Sequence, residues 1–364
     1  MSDLLILGSA AGERTQAVQA SLARASLPPA RVLDQRVFLT GTPGRADDWV
    51  SPGTIVRLES PSEDPWVDAE LVALGGGVRP ASPTELLRSD HWHRGLALML
   101  GRVDTWLAEA PTHHRLQHTA SVLSMMDKTA THARLQAAGV PVPDSLHAST
   151  WAEVVEGASA RGWSQVFVKA RYGSSAAGII AARWGGSVAG FSTVAWADGR
   201  AVNVRRPVRY GTHAEVARIV EAIGPFHVER WLPKVTAPGP TAGPVDFRVV
   251  VIGGEAQHLL ARIGRGPFTN LHLGAERGDL DLLRAHFGEQ VWSSIRATAE
   301  AATACFPEAL YAGVDVGLVH PFREPVVWEV NAFGDFHKGI EVNGMDTYQA
   351  QLAALTAWQA VSHP

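Results

Sequence analysis

The 364-residue sequence predicts an α/β fold with α+β character: a small parallel α/β unit first, then antiparallel sheets packed with helices. Three observations predict it. Residues 3 to 8 form a short apolar run of the kind buried in a parallel sheet, and Gly12 opens a helical pattern with Thr15, Val18 and Leu22 on one side. Strand and helix signals then alternate to about residue 110, with turns at Pro28, Pro52 and Gly75. Further along, strands follow one another through glycine turns, as antiparallel neighbours do. One simple core does not suffice for this length. We expect an N-terminal unit over 1–120, a central one over 121–228 and a C-terminal one over 229–364.

The elements follow in order. Residues 125–138 read as a helix, stopped by Gly139 and the prolines 141 and 143. Residues 166–170 read as a strand, 171–178 as a Gly/Ser loop, 179–183 as the returning strand and 226–232 as a further strand. The Pro-, Gly- and Thr-rich stretch 235–245 reads as a mobile loop. Strands at 247–252 and 256–263 flank the hairpin turn Gly253–Gly254. A long helix is expected over 279–304, strands over 312–319 and 326–330, and a last helix from Asp346.

Composition excludes several classes. With 46% apolar and 19% charged residues the chain is an ordinary globular protein, not a disordered one. A net charge of -4 argues against a general nucleic-acid binder. No apolar run approaches the ~20 residues that cross a bilayer, and Leu4–Leu7 is too short and lacks the basic flank of a signal peptide, so a cytoplasmic protein with no membrane partner is expected. The single cysteine, Cys305, allows no internal disulfide, fits a reducing compartment and reads as helix filler. His91, His93, His113, His114 and His118 have no cysteine or acid at ligand spacing and read as surface or capping residues. Of 32 basic residues only Lys128, Lys169, Lys234 and Lys338 are lysines. A lysine is a compact charge suited to one phosphate oxygen, whereas arginine favours a planar, bidentate partner.

Five stretches carry chemistry. Gly8–Thr15 resembles a phosphate loop, but it lacks the lysine and the glycine spacing and reads first as a tight strand-to-helix turn. Lys169 ends an apolar strand, where burial requires an anion, and Gly173, Ser174, Ser175 and Gly178 let backbone N–H groups approach phosphate oxygens. Asp315 and Glu329 stand on two strands, with Asn331 on the same face as Glu329. These hard oxygen ligands suit Mg²⁺, and a carboxylate set among Val327, Trp328 and Val330 is hard to explain as a solvated face. Arg248 and Arg262 lie on adjacent hairpin strands, near Asp246 and Asn270, and can converge on one phosphate. Glu229, Arg230, Trp231 and Leu232 lead from a strand into a loop.

In this order the motifs resemble the ATP-grasp superfamily, most closely its peptide-carboxylate ligase branch, over residues 120–345. Asp127, Lys128 and Thr129, leading a helix that closes on Ala138, Gly139, Val140, Pro141, Val142 and Pro143, are similar to its opening signature. The resemblance implies an ATP-grasp fold with the N-terminal unit as its pre-grasp domain. It implies Lys128 and Lys169 on the ATP phosphates, residues 173–178 as a lid, and the backbone of Arg230 and Trp231 at the purine within the hinge Glu229–Leu232. Arg248 and Arg262 would steady the γ-phosphate and the charged intermediate, and Asn270 would sit by the acyl-phosphate. Asp315, Glu329 and Asn331 would hold two Mg²⁺ ions. The chain departs from the family past the hinge, where Lys234 replaces the usual ribose-binding acid and Asp246 is the substitute.

The expected activity is an ADP-forming ligase joining a small-molecule or peptide carboxylate to an amine, with His337 and Lys338 as substrate contacts and a homodimer as a possible assembly. A small-molecule kinase on the same scaffold is the alternative. A non-catalytic nucleotide-binding protein is a third reading, disfavoured by the presence of both lysines and the metal acids.

Overall fold

The computed structural model describes residues 3–362 apart from 42, 174, 175, 186 and 322. It is built on three sheets. In the first, β1 (Leu4–Leu7), β2 (Arg31–Leu33), β3 (Ile55–Leu58) and β4 (His114–Arg115) are all parallel, in the order β2-β1-β3-β4. Helices α1 (Glu13–Arg24), α2 (Val37–Thr40), α3 (Pro65–Leu74) and α4 (Ser89–Ala108) lie along its connections. Every residue of β1 is buried, as a continuous apolar strand in a covered parallel sheet must be. The inward side of α1 is Thr15, Val18, Ser21 and Leu22, in line with its sequence periodicity.

The helix expected over 125–138 is α6 (Lys128–Ala137), which starts three residues later than expected and follows a separate short helix, α5 (Thr119–Met125). Asp127 is the reason. Its carboxylate accepts the N–H groups of Thr129 and Ala130 at 3.1 Å each, an N-cap that restarts the helix and puts Lys128 at its first position.

The central sheet contains β5 (Ser145–Leu146), β6 (Gln165–Ala170), β7 (Ile179–Trp184), β8 (Val188–Ala197), β9 (Arg200–Tyr210) and β10 (Phe226–Arg230), ordered β5-β10-β6-β7-β8-β9. Helices α7 (Trp151–Ala160) and α8 (His213–Ile223) share its core, α8 through Val216, Ile219, Val220 and Ile223. Because β10 belongs to this sheet, the chain leaves it only after Arg230, slightly beyond the expected boundary at 228/229.

The last sheet, ordered β13-β12-β11-β14-β15, is antiparallel throughout: β11 (Val245–Ile252), β12 (Glu255–Ile263), β13 (Glu276–Arg277), β14 (Tyr311–Val319) and β15 (Glu324–Asn331). Gly253 and Gly254 both have positive φ, which the tight β11–β12 turn requires. The helix expected over 279–304 is interrupted at Gly288 (φ 90°) into α9 (Leu280–Phe287) and α10 (Glu289–Ala304). The chain closes with α11 (Thr347–Ser362). Phe247 packs edge-on to Trp292 of α10, with ring centroids 5.7 Å apart, so Phe247, Val249 and Val251 form one face of β11 and leave Asp246 and Arg248 on the other. The stretch 235–245, expected to be mobile, is pinned at its base: Val235 donates to Leu318, Ala237 to Gly243 and Val245 to Val235, with Val235 and Ala237 buried. Among the described residues no helix is long and apolar enough to cross a membrane.

Candidate active site

A cleft between the central and C-terminal sheets, about 790 Å³ with its open mouth included, is lined by three of the four lysines, Lys128, Lys169 and Lys234. Facing them are Asp246, Arg262, Asp315 and Glu329. The strand periods set this up. In β6, Val166, Val168 and Ala170 pack into the core while Phe167 and Lys169 line the cleft. In the C-terminal sheet Arg248 pairs in register with Asp315, Asp315 with Glu329, and Asp246 with Arg262, so the charged side chains fall on neighbouring strands.

Each cation has an internal anion. The Lys128 ammonium lies 2.8 Å from Glu329 Oε1 and also donates to the Gly173 carbonyl. Lys169 Nζ is 2.6 Å from Glu229 Oε2, with His227 Nε2 3.3 Å from the other oxygen. Burial alone would raise the Glu229 pKa, but Lys169 and His227 bring it down to about 2. Arg248 grips Asp315 with two nitrogens, one at 2.9 Å, and Arg262 adds a contact at 3.1 Å. Burial opposes ionisation of Asp315 as well, yet the two guanidiniums hold it well below the usual carboxylate range.

Several expected residues therefore have placements of their own. Glu229 and Leu232 of the hinge segment both line the cleft, Glu229 as the buried counter-ion of Lys169. Of the backbone groups of Arg230 and Trp231, expected at the purine, the N–H groups are engaged within the protein: Arg230 donates to the Asp144 carbonyl at 2.8 Å and Trp231 to the Gln165 carbonyl at 3.3 Å. The Arg230 side chain is exposed and pairs with Asp144. Asp246 does not present a free ribose acceptor. Arg262 takes one of its oxygens at 2.8 Å, and Lys234, at 2.7 Å, shares the other with Thr269. Burial lowers the Lys234 pKa, against the opposing pull of Asp246.

Asn270 lines the cleft and its Oδ1 accepts the His272 N–H at 2.8 Å, capping a short turn. Asn331 donates Nδ2 to the Gly313 carbonyl at 3.3 Å, and its Oδ1 has no partner among the described residues. Gly173 lines the cleft, and Gly178 adopts φ 63°, close against Ala170. Ser174 and Ser175 lie outside the described residues. Lys338 is exposed and His337 is buried, and neither lines the cleft. The Gly8–Thr15 loop does not meet the cleft. Its Arg14 reaches Asp335 at 2.8 Å instead.

Sequence reasoning passed over Lys234 as a site residue, and with it Phe167, Ile179, Phe268 and Trp328, all of which line the cleft. Two signals were available: the scarcity of lysine, and the period-2 relation of Phe167 to Lys169. No such signal marks Phe268, whose ring lies 6.1 Å from that of Phe167 only through the fold.

Asp315, Glu329 and Asn331 lie on adjacent strands and carry the oxygen donors a divalent cation takes, with Asp315 here held by Arg248 and Arg262 and Glu329 by Lys128. Three solved structures share the whole architecture. The ATP-grasp ligase PsnB with a minimal precursor superposes with TM-score 0.56 and 17% identity, over 98% of this chain and 99% of that one. D-cycloserine synthetase DcsG gives 0.53 and 16% over 99% of each. D-alanine–D-alanine ligase from Bacillus anthracis complexed with ATP gives 0.54 and 12%, over 100% and 98%. The chain therefore has the ATP-grasp fold. No family model matches the sequence, and no curated protein does either.

Proposed function

We propose that this protein is an ATP-dependent carboxylate–amine ligase that forms an acyl-phosphate and releases ADP. The observation that carries the reading is the cleft itself. Lys128 and Lys169 stand on one wall, and Asp315 and Glu329 on the other, with apolar Phe167, Ile179, Leu232 and Trp328 between for a purine. Lys128, Lys169, Arg248 and Arg262 would neutralise the triphosphate as a carboxylate approaches it, the charge cancellation that phosphoryl transfer demands. Asp315, Glu329 and Asn331 would hold two Mg²⁺ ions, which supply further charge neutralisation and alignment when bound. PsnB has been solved with Mg and ADP, which supports this cofactor choice.

A carboxylate oxygen forms the new bond to the γ-phosphorus, and the bond to the β–γ bridging oxygen breaks, its electron pair leaving with ADP. The amine then attacks the acyl carbon, phosphate departs with the C–O electron pair, and the amine loses a proton. Arg262 would stabilise the oxyanion between these steps. Gly173 to Gly178 would cover the acyl-phosphate against water. PsnB is solved with a precursor peptide and DcsG makes a small molecule, which keeps both kinds of carboxylate substrate open.

The rival is a small-molecule kinase. A panel of carboxylates labelled with heavy oxygen, offered with amines and Mg·ATP, separates the two. A ligase delivers one labelled oxygen into inorganic phosphate. ADP release with a phosphorylated alcohol and no label in phosphate would establish the kinase instead.

A further inference from the structure

The ligase reading uses Lys128 and Lys169 and leaves the third lysine of the cleft, Lys234, without a role. Its backbone is fixed against the end of β14. Lys234 bridges to Val319, the Pro233 carbonyl accepts from His320 at 2.9 Å, and Val235 donates to Leu318 at 2.9 Å. The side chain is fixed as well. Its ammonium donates to Asp246 Oδ2 at 2.7 Å and to Thr269 Oγ1 at 2.6 Å, and the Thr269 hydroxyl donates to the same Asp246 oxygen.

An ammonium has three N–H donors. Two are taken here, and the third has no partner among the described residues. The side chain keeps 13% of its surface and lines the cleft, so that donor is within reach of a ligand there. The surrounding charge favours an electron-rich partner. Lys234, Arg248 and Arg262 are linked by ion pairs to only two acids, Asp246 and Asp315, which leaves one positive charge unbalanced.

The ammonium also borders the apolar part of the cleft. It lies 5.5 Å from the centroid of the Trp328 ring, and Leu232 is two residues back along the chain. If Phe167, Ile179, Leu232 and Trp328 enclose a purine, the sugar is the next polar part to leave that compartment.

We propose that Lys234 is a specificity-determining contact to the nucleotide sugar, donating its third N–H to a ribose hydroxyl oxygen. The inference rests on the nucleotide half of the ligase reading, and it holds whether the phosphoryl acceptor is a carboxylate or an alcohol. An acid at this place would accept the hydroxyl hydrogen. Lys234 takes the oxygen instead, and Asp246 beside it is already saturated by Lys234, Thr269 and Arg262. Because backbone and ammonium are held before the nucleotide arrives, little ordering is lost when the contact forms. A nucleotide lacking that oxygen leaves a charged donor unpaired.

The full chain is titrated by calorimetry, with Mg²⁺ present, against ADP, 2′-deoxy-ADP, 3′-deoxy-ADP and GDP. The parent should bind one of the two deoxynucleotides about tenfold more weakly than ADP, the effect of one charge-assisted hydrogen bond. Lys234→Met keeps an unbranched apolar stem but no donor. It should bring that ratio below about twofold, with its ADP-to-GDP ratio as in the parent. Lys234→Gln retains a neutral donor and should hold an intermediate ratio of about threefold.

A parent that binds ADP and both deoxynucleotides alike would overturn the proposal, and this arm needs no variant to fold. A Lys234→Met protein that keeps the parent's sugar ratio would do the same. So would one whose ADP-to-GDP ratio shifts instead, because the lysine would then read the base. Mg·ADP binding without a sugar preference sinks this inference alone, whereas no Mg·ADP binding at all sinks the nucleotide reading with it.

Discussion

The Lys128 ammonium and the Glu329 carboxylate, 201 positions apart, lie 2.8 Å from each other across the cleft, one a phosphate-binding candidate and the other a metal-binding one. The same ammonium donates to the Gly173 carbonyl at the start of the lid segment. In this state the site neutralises itself. Nucleotide and metal must therefore arrive together, the triphosphate drawing the cation and the divalent ion drawing the acid. We predict that Glu329→Gln, which leaves Lys128 without its acid, binds AMPPNP without Mg²⁺ about tenfold more tightly than the parent, by calorimetry. It should gain little when Mg²⁺ is added. An unchanged metal-free affinity would show that this pair does not govern nucleotide entry.

The Lys169–Glu229 pair is more deeply placed. Removing one partner of a buried pair leaves the other charge uncompensated, so Glu229→Gln should lower unfolding stability by about 3 kcal/mol in urea. Mg·AMPPNP should restore part of the loss by giving Lys169 another anion. Equal stabilities of the two proteins would contradict the structure here.

Asp335 ties the parallel sheet's Arg57 and the α1 arginine, Arg14, to the loop after β15. Asp335→Asn should cost about 3 kcal/mol, since two buried guanidiniums lose their shared anion at once and keep only Glu59 and Glu63. Arg57→Met with Asp335→Asn should cost clearly less than the two single losses summed, because the residues share one network. Simple additivity in denaturant melts would place them in independent environments.

Acid sensitivity should follow His337. Its folded pKa is pushed down to about 3 by burial and Arg248, so the unfolded chain takes up a proton that the folded chain refuses. That difference is absent above the unfolded value near 6.5, and stability then falls as pH drops towards 3. Between pH 7.5 and 5 the parent should lose on the order of 2 kcal/mol more than His337→Phe. Glu229 and Asp335, depressed carboxylates, lose their contribution only at lower pH, as it falls towards about 2. Parallel stability curves for parent and His337→Phe would remove the histidine from this account.

Much of this protein is set by local sequence. The apolar run of β1, the period-2 strands carrying Lys169, Asp315 and Glu329, and the Gly253–Gly254 turn depend on steric and burial rules that act over a few residues. Helix breaks at Asp127 and Gly288 were harder to place, because a cap and a positive φ each turn on one residue inside an otherwise helical pattern. The hairpin β8–β9, which carries no chemistry-bearing motif, has no counterpart in the sequence reading.

Only the tertiary structure decided which charges are partners. Spacing could mark Glu229, Asp246 and His337 as notable, but it could not show that the first two are saturated by Lys169, Lys234 and Arg262 while the ring of the third has no hydrogen-bond partner among the described residues. Local patterns fix which face of an element is buried. Pairing across the cleft depends on distances between elements far apart in the chain, and electrostatic interaction in a low-dielectric interior changes steeply with those distances.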